Sequence, residues 1–434
     1  MVELVEPRKS ALGPFDVFAS SKYTLYFGGQ LISQTGTWMQ QVALSWFVYD
    51  LTHSAFLLAA VGVAAQVPSL MLMPFAGVMA DSMNRHRIVL LTQIFAMIEA
   101  LILTALVMTG VAQMWHLMVL AVFSGILMAF DMPVRSAFLV NIIDKKEDLP
   151  KAISMNSALF NVTRLIGPAM AGFIMVKLNI GICFLINALS YIAVIGALLM
   201  IKGNFDPPKK ERVKNEGLIK LREGFEYTLK TVPVRATIMF MAAFCMGGFV
   251  YITLMPVLVK ELHGDPSTLG MLMSISAIGS CIGAVSLGFR KSILGLGKWI
   301  VTASFLFSLA LISFSFCRNL IQYAPLMVIL GASMMFMMSA CSTILQTVIE
   351  EEKRGRVMSL FTMAFMGTAP IGGLIGGAAA NHFGYHVTIL GAGIYCLLVS
   401  LVFGSRMPEL KKQSKPIYVE KGLLQAEEEI DILT

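Results

Sequence analysis

The chain has 434 residues, of which 57% are apolar and only 14% charged, and its mean hydropathy is +0.76. An ordinary soluble domain carries roughly 25% charged residues, so a soluble fold is excluded, and the apolar excess excludes a disordered chain. The length accommodates about twelve membrane spans of ~20 residues with their loops. A net charge of +7 raises nucleic acid as a partner, and where the charges sit decides that question.

Residues 1–22 are polar, include Glu3, Glu6 and Asp16, and lack the apolar core of a signal peptide. Apolar runs then recur at 23–49, 54–80, 87–110, 115–140, 152–177 and 180–201. After the polar stretch 202–233 come 234–261, 267–290, 298–317, 321–348, 355–382 and 385–406. Each run can cross ~30 Å of hydrocarbon at 1.5 Å per residue. The expected fold is therefore an all-α membrane protein of twelve transmembrane helices. Its parts are a tail (1–22), a six-helix half (23–201), a linker (202–233), a second six-helix half (234–406) and a tail (407–434).

With the N-terminus inside, the outer loops hold only Lys177, Lys260 and Arg318, and Arg164 lies mid-span. The other basic residues fall on or near the inner side, in clusters such as Arg85/Arg87, Lys145/Lys146/Lys151 and Lys353/Arg354/Arg356. The opposite orientation would violate the positive-inside rule almost everywhere. The basic balance is thus a topology signal, with both termini cytoplasmic, and nucleic acid is not expected as a partner.

The halves resemble each other. Ile166-Gly-Pro-Ala-Met-Ala-Gly172 aligns with Ile371-Gly-Gly-Leu-Ile-Gly-Gly377. Just before each, Lys151-Ala-Ile-Ser-Met matches Arg356-Val-Met-Ser-Leu, so the repeat is parallel. Two parallel six-helix halves form a known transporter architecture with its site between them. In the linker, Gly217 to Val232 reads either as a basic amphipathic helix on the inner membrane surface or as a solvated connector. The tail from Lys411, with Glu427, Glu428 and Glu429, is expected to be disordered.

The six cysteines all fall in apolar runs without CxxC pairs, which points to buried thiols. His382 and His386 are four apart but straddle Gly384, so no metal site is expected. No nucleotide loop, HExxH or nucleophile elbow occurs, which argues against an enzyme.

Polar stripes inside the spans point to a cavity. Gln30, Gln34, Trp38 and Gln41 share one face of the first span, and Ser124, Met128, Asp131 and Arg135 one face of the fourth. Ser339, Ser342, Thr343 and Gln346 do likewise in the tenth. Interhelical hydrogen bonding alone would also account for such residues. Glu99, Asp131 and Arg164 are ionisable groups within spans, costly there and functional candidates by default. Glu99 reads as a proton site or a structural acid. Arg164 reads as the counter-charge of an anionic ligand or of an internal acid. Asp131 stands one turn from Arg135, which suits an i, i+4 ion pair.

After the second span comes Gly77-Val-Met-Ala-Asp81-Ser-Met-Asn-Arg85-His-Arg87, an acid at a helix end followed by a tight basic loop. It reads as a charge latch or as ordinary positive-inside flanking. The segment resembles motif A of the major facilitator superfamily, with Ser82 and Asn84 where Arg and Gly are usual. Its shorter D-x-x-x-R-x-R form resembles the enterobactin-exporter-like subgroup. So do Gln30-Leu-Ile-Ser-Gln-Thr-Gly-Thr-Trp-Met-Gln40, Asp131-Met-Pro-Val-Arg135, Glu147-Asp-Leu-Pro-Lys-Ala152 and Arg222-Glu-Gly-Phe225. Arg164-Leu-Ile-Gly167-Pro168-Ala-Met-Ala-Gly172 resembles motif C of the superfamily's antiporters, with Ala171 where a second Gly is frequent.

The resemblance implies a twelve-helix secondary transporter whose spans 1, 4, 7 and 10 line a central path. It implies a siderophore or drug-like cargo exported by proton antiport, with Asp81, Arg85, Arg87 and Arg135 closing the cytoplasmic side. Asp131 and Glu99 are then the coupling candidates. Partners are the small-molecule cargo, protons and the bilayer of a bacterial inner membrane, with a monomer expected and the proton gradient in place of any cofactor. A passive facilitator or importer on the same fold, or a non-transporting scaffold or receptor, are the alternatives.

Overall fold

The computed structural model describes residues 13–80, 83–203, 205, 216–290, 294–420 and 424. The first group of helices is α1 (Ser21–Thr52), α2 (Ala55–Ala80), α3 (Arg85–Met108), α4 (Met114–Ile142), α5 (Leu149–Lys177) and α6 (Ile180–Met200). A short helix α7 (Glu216–Lys230) follows. The second group is α8 (Val232–Gly248), α9 (Val250–Thr253), α10 (Met255–Glu261), α11 (Pro266–Gly288), α12 (Leu296–Phe314), α13 (Leu320–Val348), α14 (Glu351–Phe383) and α15 (Tyr385–Ser405). A last helix, α16 (Met407–Glu420), crosses the end of the second group.

Eleven of these stretches are long and apolar enough to span a membrane, with α8 to α10 counting as one. The remaining long helix, α1, is diluted by four glutamines and several hydroxyl residues, yet it packs along both α5 and α6. Several helices begin where a side chain takes an orphan backbone N–H. Asn84 accepts from the Arg87 N–H at 3.1 Å, Asn179 from Gly181 at 2.8 Å and Asp265 from Thr268 at 3.0 Å. Gly384, with φ +81°, makes the sharp turn between α14 and α15 that an L side chain would resist.

The seventh apolar run, expected as one helix, is divided at Phe249 and Leu254 into α8, α9 and α10. Gly247 and Gly248 weaken the helix just before the first break, and Pro256 removes a donor just after the second. The tail from Lys411, expected to be disordered, is helical as far as Glu420. Leu410, Ser414 and Tyr418, four residues apart, bury one stripe of α16 against the second group, and apolar burial outweighs the charge on the other faces. α7 is helical and docks on the start of α14: Glu223 pairs with Arg356, and the Lys353 ammonium lies 4.7 Å from the Tyr227 ring centre.

The internal repeat appears in the packing. α2 packs on α4 as α11 packs on α13, and α5 meets α11 as α14 meets α2. The last two pairs are the seams joining the groups. In the first, Gly270 meets the Pro168 carbonyl so closely that a methyl would overlap it, and the Ser274 hydroxyl donates to the Leu165 carbonyl at 2.8 Å. In the second, a methyl on Gly377 would sit 2.6 Å from the Ala55 carbonyl oxygen. Asn381 accepts from the Ala55 N–H at 2.9 Å and donates to Ser54 at 3.0 Å. Between the ends of α1 and α10, Lys260 pairs with Asp50 at 2.5 Å. These contacts gather at the end of the bundle that carries the α1–α2 and α5–α6 turns. Toward the other end, Ile153, Ser154, Asn156, Ser157, Ala158 and Phe160 of α5 stand exposed. Among the described residues the two groups are thus joined at one end of the bundle, the closed end, while at the open end, where α7 and α16 lie, this stretch of α5 stands exposed.

Candidate functional site

Three charged centres lie within the first group, the third beside its seam with the second group. The first centre is built on α4. Arg135 pairs with Asp131 one turn back at 3.2 Å, and the same guanidinium donates to Gln30 Oε1 of α1 at 2.9 Å. With its amide oxygen turned toward the guanidinium, Gln34 accepts from Arg135 at 2.7 and 3.3 Å. The other oxygen of Asp131 accepts from Thr92 and Gln93 of α3 at 2.9 and 2.8 Å. The i, i+4 pair is therefore present and is the hub of a network that ties α1, α3 and α4 together. Both glutamines spend their acceptor oxygens on Arg135.

The second centre is Glu99 of α3, 5% exposed. Its carboxyl accepts from Gln40 Nε2 at 3.2 Å, and Gln40 Oε1 accepts from Asn187 of α6 at 2.7 Å. Close approach of α1 and α6 makes this possible, since a Cβ on Gly36 would lie 2.5 Å from the Ser190 hydroxyl. No cation pairs with Glu99 among the described residues. Gln40 was not among the expected site residues. The stripe chosen for α1 ran through Gln41, which is exposed, whereas the neighbouring Gln40 holds the acid.

The third centre is Arg164 of α5. Its guanidinium lies 5.9 Å from the centre of the Trp38 ring of α1. Phe160, one turn before Arg164, stands edge-on to the same ring at 5.5 Å. Gly167 sets this arrangement, because a Cβ there would lie 2.5 Å from the Trp38 Cβ. Pro168 and Gly172 continue the face of α5 onto α11, with a Cβ on Gly172 reaching 2.8 Å from Ser267 Cα. The motif C-like residues thus share one function in packing. They bring α5 against both α1 and α11 at the closed end.

The motif A-like latch is only partly within view. Asp81 lies outside the described residues, as do the surroundings of Gly77. Arg85 donates to Asn141 at 2.7 Å and Arg87 is exposed. Arg135, the fourth residue expected to close this side, pairs with Asp131. Ser124 and Met128 lie on α4, with Met128 exposed. On α13, Thr343 donates to the Ser339 carbonyl at 2.9 Å and Gln346 to the Ser342 hydroxyl at 2.9 Å. These bonds lie within the one helix. A further polar stripe, Ser154, Ser157, Asn161 and Arg164 on α5, runs from the open end toward Trp38. Its spacing of three and four residues is visible in the sequence.

Residues 10–427 match the family described as transmembrane secretion effector. The chain belongs to that family, within the major facilitator superfamily. It is 28% identical to the staphyloferrin A transporter of Staphylococcus aureus (strain NCTC 8325 / PS 47), over 89% of this chain and 97% of that one. It is 25% identical to the multidrug efflux pump Tap of Mycolicibacterium fortuitum, over 89% and 96%. Among solved structures, a bacterial homologue of the human lysosomal transporter Spinster superposes with a TM-score of 0.71 at 13% identity, covering 91% of this chain and 98% of that one. The nucleoside transporter NupG gives 0.69 at 13% identity, covering 89% and 98%. These likenesses establish the twelve-helix transporter fold of two parallel six-helix halves. The chain is a multi-pass membrane transporter of small molecules, not an enzyme.

Proposed function

We propose that this chain exports a small amphipathic molecule, siderophore- or drug-like, by alternating access driven by inward proton movement. The observation that carries the reading is the pair of equivalent seams, α5–α11 and α2–α14, whose closest contacts among the described residues join the halves at one end of the bundle. Rocking the halves about the centre would open that end and close the other. The export direction draws on a relative named as a multidrug efflux pump, and the siderophore-like cargo on one named as a staphyloferrin A transporter. The clusters of Lys and Arg at the open end support placing it in the cytoplasm of a bacterial cell. Residues 1–22, 202–233 and 407–434 are then cytoplasmic, and the closed end faces outward. Asp81, Arg85 and Arg87 would latch the cytoplasmic side when it closes.

Of the two coupling candidates, Glu99 suits a proton carrier better than Asp131. Asp131 is claimed by Arg135, Thr92 and Gln93, so proton uptake there would break a built network. Glu99 has one neutral amide partner. A buried carboxylate without a cation is costly in a bilayer, and neutralisation by a proton removes that cost.

The test compares spent medium from cells with and without the gene, with and without a protonophore. Export predicts a small molecule that is missing outside and accumulates inside when the gene is deleted. It also predicts that the protonophore abolishes efflux. Glu99→Gln should move cargo down its gradient but fail to concentrate it. Concentrative export by de-energised vesicles would overturn proton coupling, and movement only down a gradient by the parent protein would leave a passive facilitator.

A further inference from the structure

We propose that Arg164, set over Trp38 beside the α5–α11 seam, is an anion subsite that takes a carboxylate of the cargo. The inference deepens the transport reading above and rests on it.

The argument begins with unmet demand. A guanidinium carries five N–H donors and no acceptor, and stays charged in proteins. Within a membrane span such a group pairs with an acid, with backbone carbonyls or with a ligand. The interior acids of the first group are already engaged: Asp131 with Arg135, and Glu99 with Gln40. Near the closed end, Asp50 pairs with Lys260, and Glu261 lies 3.6 Å from His386. Among the described residues Arg164 makes no ion pair or hydrogen bond; its one close partner is the face of Trp38. Trp38 adds a second observation, because its indole N–H is buried with no acceptor. Two adjacent groups that can only donate therefore meet beside the seam between the halves.

Position agrees with this demand. Arg164 is only half-buried and stands one turn before Pro168, which packs on Gly270 in the seam. The stripe Ser154, Ser157 and Asn161 leads to it from the open end. Tyr251 of α9, from the other half, lies within electrostatic reach of the guanidinium. A ligand here would touch both halves, which a transported cargo must do.

The chemistry narrows the class. A carboxylate matches the planar guanidinium fork with two parallel hydrogen bonds. One guanidinium and one indole N–H supply too little charge and too few donors for a phosphate dianion. The Trp38 and Phe160 rings form an apolar wall beside the charge, so the group attached to the carboxylate is apolar or aromatic.

Trp38 is a built-in reporter, since the chain has four tryptophans and Trp46, Trp115 and Trp299 can be replaced by Phe. The full-length protein in lipid nanodiscs is titrated with 4-phenylbutyrate, with citrate and with the uncharged 4-phenylbutanamide while Trp38 fluorescence is read. 4-Phenylbutyrate should shift the emission saturably, with citrate, which lacks an apolar group, and the amide each binding at least tenfold more weakly. Arg164→Gln should lower carboxylate affinity at least tenfold and abolish the preference over the amide. Arg164→Lys should keep part of the preference. Equal binding of acid and amide, no response to any carboxylate, or carboxylate binding unchanged in Arg164→Gln would each overturn the proposal. Should Arg164→Gln fail to fold, Arg164→Lys must still lower carboxylate affinity without altering amide affinity, or the proposal fails. Binding needs no gradient. A chain that binds carboxylates but never moves cargo would therefore sink the export reading and leave the subsite standing.

Discussion

Gly377→Ala probes the seam between α14 and α2. The new methyl would lie 2.6 Å from the Ala55 carbonyl oxygen and 3.0 Å from the Ala59 methyl. A carbon tolerates an oxygen at about 3.3 Å, so the two helices must part locally by about 0.7 Å. Overpacking of this kind costs about 1–3 kcal/mol. The cost falls only on the arrangement closed at this end, because the contact is absent once the halves separate there. A differential of about 1–3 kcal/mol is a roughly 5- to 150-fold shift in population. The readout is Ser274→Cys on α11. Its side chain is buried in the other seam, where the native hydroxyl bonds Leu165, and a rigid-body opening would uncover it. A membrane-impermeant maleimide applied to the closed-end side should label this cysteine about 5- to 150-fold faster when Gly377→Ala is added. Unchanged labelling in a correctly inserted protein would refute the steric reading of the seam.

Asp131→Asn should cost about 3 kcal/mol in stability, since it strands Arg135, a partly buried cation, and loosens three helices. Adding Arg135→Gln should restore part of the loss of melting temperature. Asp50→Asn breaks a pair that is 35–49% exposed, so thermal stability should change by less than about 1 kcal/mol while maleimide labelling at Ser274→Cys rises. Asp265→Ala removes the α11 cap and should destabilise by about 1 kcal/mol in chemical denaturation. The Ser267 hydroxyl, with the Thr268 N–H, holds the Asp265 carboxyl below its usual range. The cap is therefore intact above the ordinary aspartate pKa and lost as pH falls through the lower folded value. The parent should lose this increment in strong acid, and the Ala variant should not.

Much of the architecture was legible because a bilayer leaves the backbone few choices. Long apolar runs must be helices, and the repeat of Ile166–Gly172 at Ile371–Gly377 foretold that α5 and α14 do equivalent work. The breaks in the seventh run had visible causes in Gly247, Gly248 and Pro256, but hydropathy averaged over a span hides backbone conformation. α16 escaped notice because its buried stripe includes Ser414, whose burial depends on a neighbour and not on its own polarity. For the site, position within the spans singled out Glu99, Asp131 and Arg164 as the costly groups. It did not show which of them was already satisfied. That question turns on Gln40, Gln30, Thr92 and Gln93, residues of other helices, and only the packing brings them in.

The seams have an evolutionary consequence. They are made of glycines and backbone oxygens, with few side chains that recognise anything, and in a bilayer such helix pairs are held by fit more than by expulsion of water. The residues that would greet cargo, Arg164 and Trp38, sit just inside them on different positions. One added methyl at a seam can retune how often the doorway turns without changing what is allowed through. Replacing the residue behind the doorway can change the guest and leave the hinge alone. Turnover and selectivity can thus drift separately, a loose coupling suited to a fold whose relatives are named for staphyloferrin A in one case and for multidrug efflux in another.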